Sequence, residues 1–417
     1  MVRFISAFMV LTACVSAQSA LLSGFVMDGS NGVPLEGATV RLRDSGLVVT
    51  TDARGRFCFD GDAVADTSSV SPIRAEREPS KQDDGRALPV NATATDVITF
   101  SKDGYGSVSR SMRATGGTEN VVLTLADKVT YVCTTADAKG RWQIARTVYD
   151  PKSGTSEITY LTDTELWNFK PNFSPDGSRM TFFRRYPVNG PCCETWRSSV
   201  CVMNADGSGF HEIIEGTESF NTEPYWARDG SNRISFNRMN VEAAGPYWND
   251  AGGEPGKEQR IAPWGWINPH LADGRVFMQQ RGGKSYLATP AGNGKADYVQ
   301  IRRPDDKFIH KIALSQDETM IAYQKWVDRD HNMYKGGVMV YAKFDASIPA
   351  ISDEVIFDEL DPSTMAWYVS ISTDNKFLLF AKDGAIMQHD VETGTTMKVS
   401  ADSDPYKAYP TYTTFSK

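Results

Sequence analysis

The sequence predicts an all-β chain in which a four-stranded unit repeats around a ring, with a small β-sandwich in front of it. Three observations predict this. First, a phrase recurs through the last two-thirds: residues 171–177 read PNFSPDG and 224–230 read PYWARDG, with eroded copies at 269–274, 314–318 and 371–375. Second, each copy ends in a turn and leads into an apolar, β-forming run; the anchors Phe173, Trp226, Leu271, Leu314 and Ile371 stand about 40 to 60 residues apart, the spacing of propeller blades. Third, residues 21–60 alternate short strand patterns with turns rich in Gly and Asp.

The chain has 417 residues, 41% of them apolar, enough for two or three cores. It carries 44 basic and 52 acidic residues, a net charge of -8. No basic block interrupts this balance. Binding to nucleic acid needs a positive footprint, so nucleic acid is excluded as a partner.

Residues 1–20 read as a secretory signal. Arg3 precedes an apolar run too short to span a bilayer. Two exits compete. Residues 11–14, Leu-Thr-Ala-Cys, resemble the bacterial lipobox, which implies a signal ending before Cys14, lipidation of Cys14 and a lipid anchor. Residues 15–17 instead fit the small-x-small site of ordinary signal cleavage. Either exit takes the chain across the inner membrane, to the periplasm or to an outer-membrane anchorage. No other stretch has the length of a membrane span, so no transmembrane helix is expected in the mature chain. Export permits disulfides. A bridge from Cys192 or Cys193 to Cys201 is expected to pin the loop between two strand-like runs, with the connectivity left open.

Residues 21–127 form the expected sandwich. Strand patterns fall at 22–27, 38–42, 47–50, 56–59, 97–100 and 120–125. Residues 62–96, rich in Ala, Ser, Asp, Glu and Pro, read as a flexible insert. The pattern Gly24-x-Val26, Pro34-Leu-x-Gly-Ala-x-Val40, Thr51-Asp-x-x-Gly55-x-Phe57 and Lys102-Asp-Gly-Tyr105 resembles the carboxypeptidase regulatory-like domain, a transthyretin-like fold. That resemblance implies a spacer or docking module without catalytic residues.

Residues 128–417 form the expected ring. Its last blade is split: 409–415 read as an innermost strand with no successor, and 129–133 as a second strand with no predecessor. Segments 141–149 and 157–161 supply the outer two. Joining the ends removes both exposed sheet edges. The count is a six-bladed β-propeller, or seven-bladed if 238–264 hides a further blade. The two best phrases, with the strand and turn at 202–209, resemble the PD40 repeat of TolB-type propellers. TolB is a periplasmic member of a cell-envelope complex, so the resemblance implies an envelope location and a protein partner.

In such a blade the loops between second and third strands share a face with the loops that join blades. The long ones, 184–199, 238–257, 325–336, 263–269 and 358–368, therefore fall on one face, opposite the Asp-Gly turns. They hold Trp196, Trp248, Trp264, Trp266, Trp326 and Trp367, the candidate ligand-binding residues, suited to sugar rings or apolar side chains. The expected function is an exported cell-envelope scaffold that binds a cell-envelope protein or an extracellular glycan, with no cofactor required. Whether the chain is an enzyme stays open. The alternative is a polysaccharide lyase, by resemblance to the oligogalacturonate lyases, seven-bladed propellers that hold a divalent metal. That resemblance implies Arg184, Arg185 or Lys311 on the substrate carboxylate and His310 or Tyr368 as base. His270, His310 and His331 are the candidate metal ligands if they converge.

Overall fold

The computed structural model describes residues 20–43, 46–60, 95–113, 118–186, 196–216, 218–239, 241–280, 283–326 and 335–412. The signal with Cys14, nearly all of the insert, Cys192, Cys193 and His331 lie outside the described residues, and of the expectations placed on them only the bridge to Cys201 is addressed, through Cys201 itself. Among the described residues all regular structure is strand, bridge or turn.

Two sheets face each other near the N-terminus. One orders Arg56–Asp60, Ala20–Asp28 and Thr118–Leu123; the other orders Val48–Thr50, Thr39–Leu42, Thr95–Ser101 and Val108–Arg113. Alternate residues point inward, so Leu22, Val26, Phe57 and Val121 of the first meet Val40, Ile98 and Phe100 of the second in one core. Gly55 is required at its turn: its φ is 68°, and a Cβ there would stand 2.4 Å from the Val26 carbonyl oxygen. The polar strand Val108–Arg113 was not expected. It is an edge strand that pairs only with Thr95–Ser101.

The turn after Ala20–Asp28 seats this sandwich on the rest of the chain. Asp28 accepts hydrogen bonds from Ser30, Asn31 and, at 2.8 Å, the Tyr105 hydroxyl. Gly32, at φ 77°, leaves 2.6 Å between a notional Cβ and Arg146 Nη2, and 3.1 Å to the Ala205 carbonyl. Arg146 itself donates to that carbonyl at 2.7 Å.

Beyond residue 128 the described strands pair as six four-stranded antiparallel groups. From the inside outward they are Lys407–Tyr412, Val129–Ala136, Trp142–Asp150 and Thr155–Tyr160; Trp167–Phe173, Arg179–Tyr186, Arg197–Asn204 and His211–Ile214; Phe220–Trp226, Arg233–Met239, Gly245–Asp250 and Gln259–Arg260; and Trp266–His270, Val276–Gln279, Ser285–Gly292 and Lys295–Gln300. The fifth begins Ile309–Leu314, Met320–Lys325, Lys335–Asp345 and ends on the first half of Ala350–Ile371; the second half of that strand opens the sixth, with Phe377–Lys382, Ala385–Asp390 and Thr396–Lys398. The six first strands neighbour one another in a closed circuit. The late strand closes it as the sequence expects, with Lys407 opposite Thr135 and Tyr412 opposite Tyr131. The Tyr131 hydroxyl also donates to the Val399 carbonyl at 3.0 Å.

The recurring phrase has a local mechanism. In its turn Ser174 Oγ donates to Asp176 Oδ1 at 2.6 Å, and the Ser178 amide donates to the same oxygen. Ser315 with Asp317 and Ser372 with Asp374 repeat the bond. The residue before each turn packs between blades: Phe173 against Val132, Ile144 and Phe182, and Trp226 against Val200, Ile234 and Phe236.

Three expectations are corrected. Residues 238–257 are not one loop: Gly245–Asp250 pairs within the sheet, Trp248 opposite Ser235. Residues 358–368 are not a loop either, because Ala350–Ile371 runs unbroken from one blade into the next. Cys201 carries a free thiol. It is buried in the packed space with Phe173, Phe182 and Met203.

Candidate functional site at the centre of the ring

Every first strand breaks register at the same place, and the residues at the six breaks are Lys170, Glu223, Asn268, Lys311, Tyr368 and Tyr409. Five hold left-handed backbone: φ is 55° at Lys170, 53° at Glu223, 54° at Lys311, 35° at Tyr368 and 52° at Tyr409. Each such residue costs on the order of 1–2 kcal/mol. Proline follows in four strands, as Pro171, Pro224, Pro269 and Pro410; it has no N–H to lose where the ladder is already broken.

The bulges bring side chains from different blades together. Lys170 Nζ lies 3.3 Å from Glu223 Oε1 and donates to the Tyr225 hydroxyl at 2.9 Å. Its ammonium sits 3.9 Å above the Tyr368 ring, and that ring lies 4.9 Å from Tyr409. Trp266 Nε1 donates to Glu223 Oε2. Lys311 Nζ donates to Gln324 Oε1 at 2.9 Å and to the Ala366 carbonyl. Burial lowers the Lys170 pKa to about 8 and that of Lys311 to about 7, with Glu223 opposing both shifts.

Above this group, a cavity of about 210 Å³ is lined by the last residues of the first strands. It therefore opens on the Asp-Gly side. Its floor and wall include Lys170, Tyr225, Arg228, Ser370 and Tyr409.

The residues singled out from sequence are dispersed. Arg184 Nε donates to Asn168 at 3.0 Å, and the guanidinium lies 4.0 Å over Phe210. Arg185 lies 3.6 Å over Trp196 and 5.1 Å from Trp167. His310 Nε2 accepts from Trp326 Nε1 at 3.1 Å, and burial holds its pKa well below the ordinary value. Only Lys311 and Tyr368 of the lyase set reach the axis. Trp264 stacks on Tyr298 at 4.2 Å, Trp248 lies under Arg233 at 3.8 Å, and Trp326 packs on Phe308 at 4.5 Å. Trp367 pairs with Ala381 through its backbone, and its side chain lies outside what is described. His270 is buried with Nε2 2.6 Å from Ser235 Oγ, and burial lowers its pKa to about 4. Among the described residues no three His, Cys, Asp or Glu side chains group to hold a metal ion; His270 and His310 are each turned to a neighbour in the protein.

Sequence reasoning missed Lys170. The available signal was the charged residue before proline in two repeats, Lys170-Pro171 and Glu223-Pro224. It also missed Trp142, Trp167 and Phe220, which each begin a strand, and Phe169, the third residue of one.

No protein-family model matches the chain, and no curated protein matches it. Among solved structures, TolB from Acinetobacter baumannii is 13% identical and superimposes with a TM-score of 0.51, over 69% of this chain and 67% of that one. The fold is a TolB-like propeller. Hydrazine synthase of Kuenenia stuttgartiensis is also 13% identical, with a TM-score of 0.49; the match covers 69% of this chain and 46% of that one, so the chain spans less than half of its length. At such identity the likeness is one of fold.

In this TolB-like propeller the sandwich sits beside the cavity. Met27, Asp28 and Gly32 share a small crevice with Phe173, Gly177 and Ala205, and Phe173 also lines the central cavity.

Proposed function

We propose that the chain is an exported cell-envelope scaffold whose TolB-like propeller holds a protein or glycan partner on the face opposite the Asp-Gly turns. The observation that carries this reading is an aromatic band across three neighbouring blades. Tyr406 meets Trp142 at 5.6 Å, Trp142 meets Phe169 at 5.9 Å, and Phe169 meets Trp167 at 6.2 Å and Phe183 at 5.3 Å. Phe220 continues it, 6.0 Å from Phe183 and 5.4 Å from Trp196. Arg185 contacts both Trp167 and Trp196. Trp167 remains 36% exposed and Tyr406 39%. A rigid surface of rings with an embedded guanidinium stacks on sugar rings and on apolar side chains alike.

The signal reading of residues 1–20, with lipidation at Cys14 as one exit, supports an envelope location. The sandwich serves as the spacer that holds the ring. The lyase reading has less support, because Arg184, His310, Lys311 and Tyr368 each engage a different internal neighbour and define no shared substrate position.

The test is retention of the mature chain on envelope proteins by cross-linking and on isolated glycans by pull-down. Wild type is retained on one of the two. Trp167→Ala with Trp196→Ala weakens retention about tenfold, the size of a lost aromatic anchor. Undiminished retention by that variant refutes the band. Release of unsaturated sugar ends by wild type would replace the scaffold reading with the lyase.

A further inference from the structure

We infer that the cavity on the Asp-Gly side of the ring is a binding site for a small organic monocarboxylate with an apolar or ring-shaped body. The chain as a whole is acidic, with 52 acids against 44 bases. Yet among the described residues Lys170 and Arg228 line the cavity and no Asp or Glu does. A concave site with one sign of charge and low-dielectric walls selects the opposite sign.

The geometry limits how much negative charge is wanted. Lys170 is already half-answered by Glu223, which turns its other oxygen to Trp266. Arg228 spends one terminal nitrogen on the Ser315 carbonyl at 2.8 Å and the other on the Leu314 carbonyl at 3.1 Å. It contributes positive field and no open fork. A phosphate dianion needs such a fork or several free donors; a single carboxylate needs neither.

The remaining features fit the body of the ligand. Ser370 is among the residues that line the cavity. Ile312, Val369, Pro269 and Pro410 give the wall apolar surface, and the Tyr368 and Tyr409 rings close the floor. Burial leaves Lys170 with a pKa of about 8, so it still carries its charge at neutral pH. The strained backbone at Lys170, Tyr368 and Tyr409 holds these groups in place before anything binds.

This site lies at the other end of the ring from the aromatic band, so it stands or falls separately from the scaffold reading. The experiment is calorimetric titration of the purified mature chain, with no partner present, using D-glucuronate and benzoate. Each acid is compared with its neutral counterpart, D-glucose or benzyl alcohol, and with inorganic phosphate. At least one acid is expected to bind saturably, at least tenfold more tightly than its counterpart and than phosphate. The double variant Lys170→Met with Glu223→Gln removes the ion pair together; it should lose at least tenfold in affinity. Thr373→Trp, which fills the mouth without touching the floor, should lose as much while keeping the unliganded thermal midpoint. Saturable binding of neither acid, equal binding of acid and neutral compound, equal binding of phosphate, or undiminished binding by both variants would each overturn the inference.

Discussion

Lys170 and Glu223 come from the first strands of adjacent blades, and their charged atoms meet at 3.3 Å while both residues hold left-handed backbone. Removing one member of a buried pair is far more costly than removing both. Lys170→Met alone should destabilise the ring by about 3 kcal/mol, and Lys170→Met with Glu223→Gln by clearly less. Urea unfolding of the three proteins measures the difference. The pair also sets a pH slope. The Lys170 pKa is about 8 when folded, against the ordinary 10.5. Between these values the unfolded chain holds more protons, so stability rises with pH across that window. Lys170→Met should flatten the rise.

His270 produces a second slope, at acid pH. Its pKa falls from 6.5 to about 4 on folding because burial disfavours the imidazolium. The unfolded chain takes up the proton first, so stability is lost as pH falls from 6.5 towards 4. The shift is worth about 3 kcal/mol. His270→Gln should remove that part of the acid slope, read from thermal midpoints between pH 4 and 7.

Gly32 fixes the seating of the sandwich. Any side chain there meets Arg146 and Ala205 and must hold a φ of 77°. Gly32→Val should loosen the two bodies by about 1–3 kcal/mol while each keeps its own core. Limited proteolysis should then cut near residues 124–128, which wild type resists.

The thiols of Cys133 and Cys201 are both fully buried. Burial pushes Cys133 up to about 11 and Cys201 well above its ordinary value. Neither should react with iodoacetamide at pH 8 in the folded protein, and both should react in denaturant without a reducing agent. Mass spectrometry of the labelled peptides distinguishes this from a bridge at Cys201, which would stay unlabelled until reduced.

The turns of the ring were legible because their bonds are local: Asp176 reaches residues two positions away, and the phrase PNFSPDG states that chemistry outright. The closing strand was legible because a first strand without a successor implies a second without a predecessor. Val108–Arg113 was not, since its side chains are mostly polar and its strand character comes from one neighbour. Gly245–Asp250 was hidden by its Gly-Pro start and its Asn-Asp end, and only pairing with Arg233–Met239 makes it a strand. The central group was legible only as separate residues, with Lys311, Tyr368 and Trp266 singled out and their meeting with Lys170 and Glu223 unread. Lys170, Glu223, Tyr368 and Trp266 belong to different repeats, and their meeting depends on bulges that no local pattern announces.

The pairing of Tyr131 with Tyr412 also imposes a timetable. While the ribosome is still translating the middle of the ring, Val129–Ala136 waits with an unfilled hydrogen-bonding edge. Such an edge invites intermolecular adhesion. Yield of the intact molecule is therefore governed less by the strength of any single blade than by how long nascent chains stay shielded before their final strand arrives.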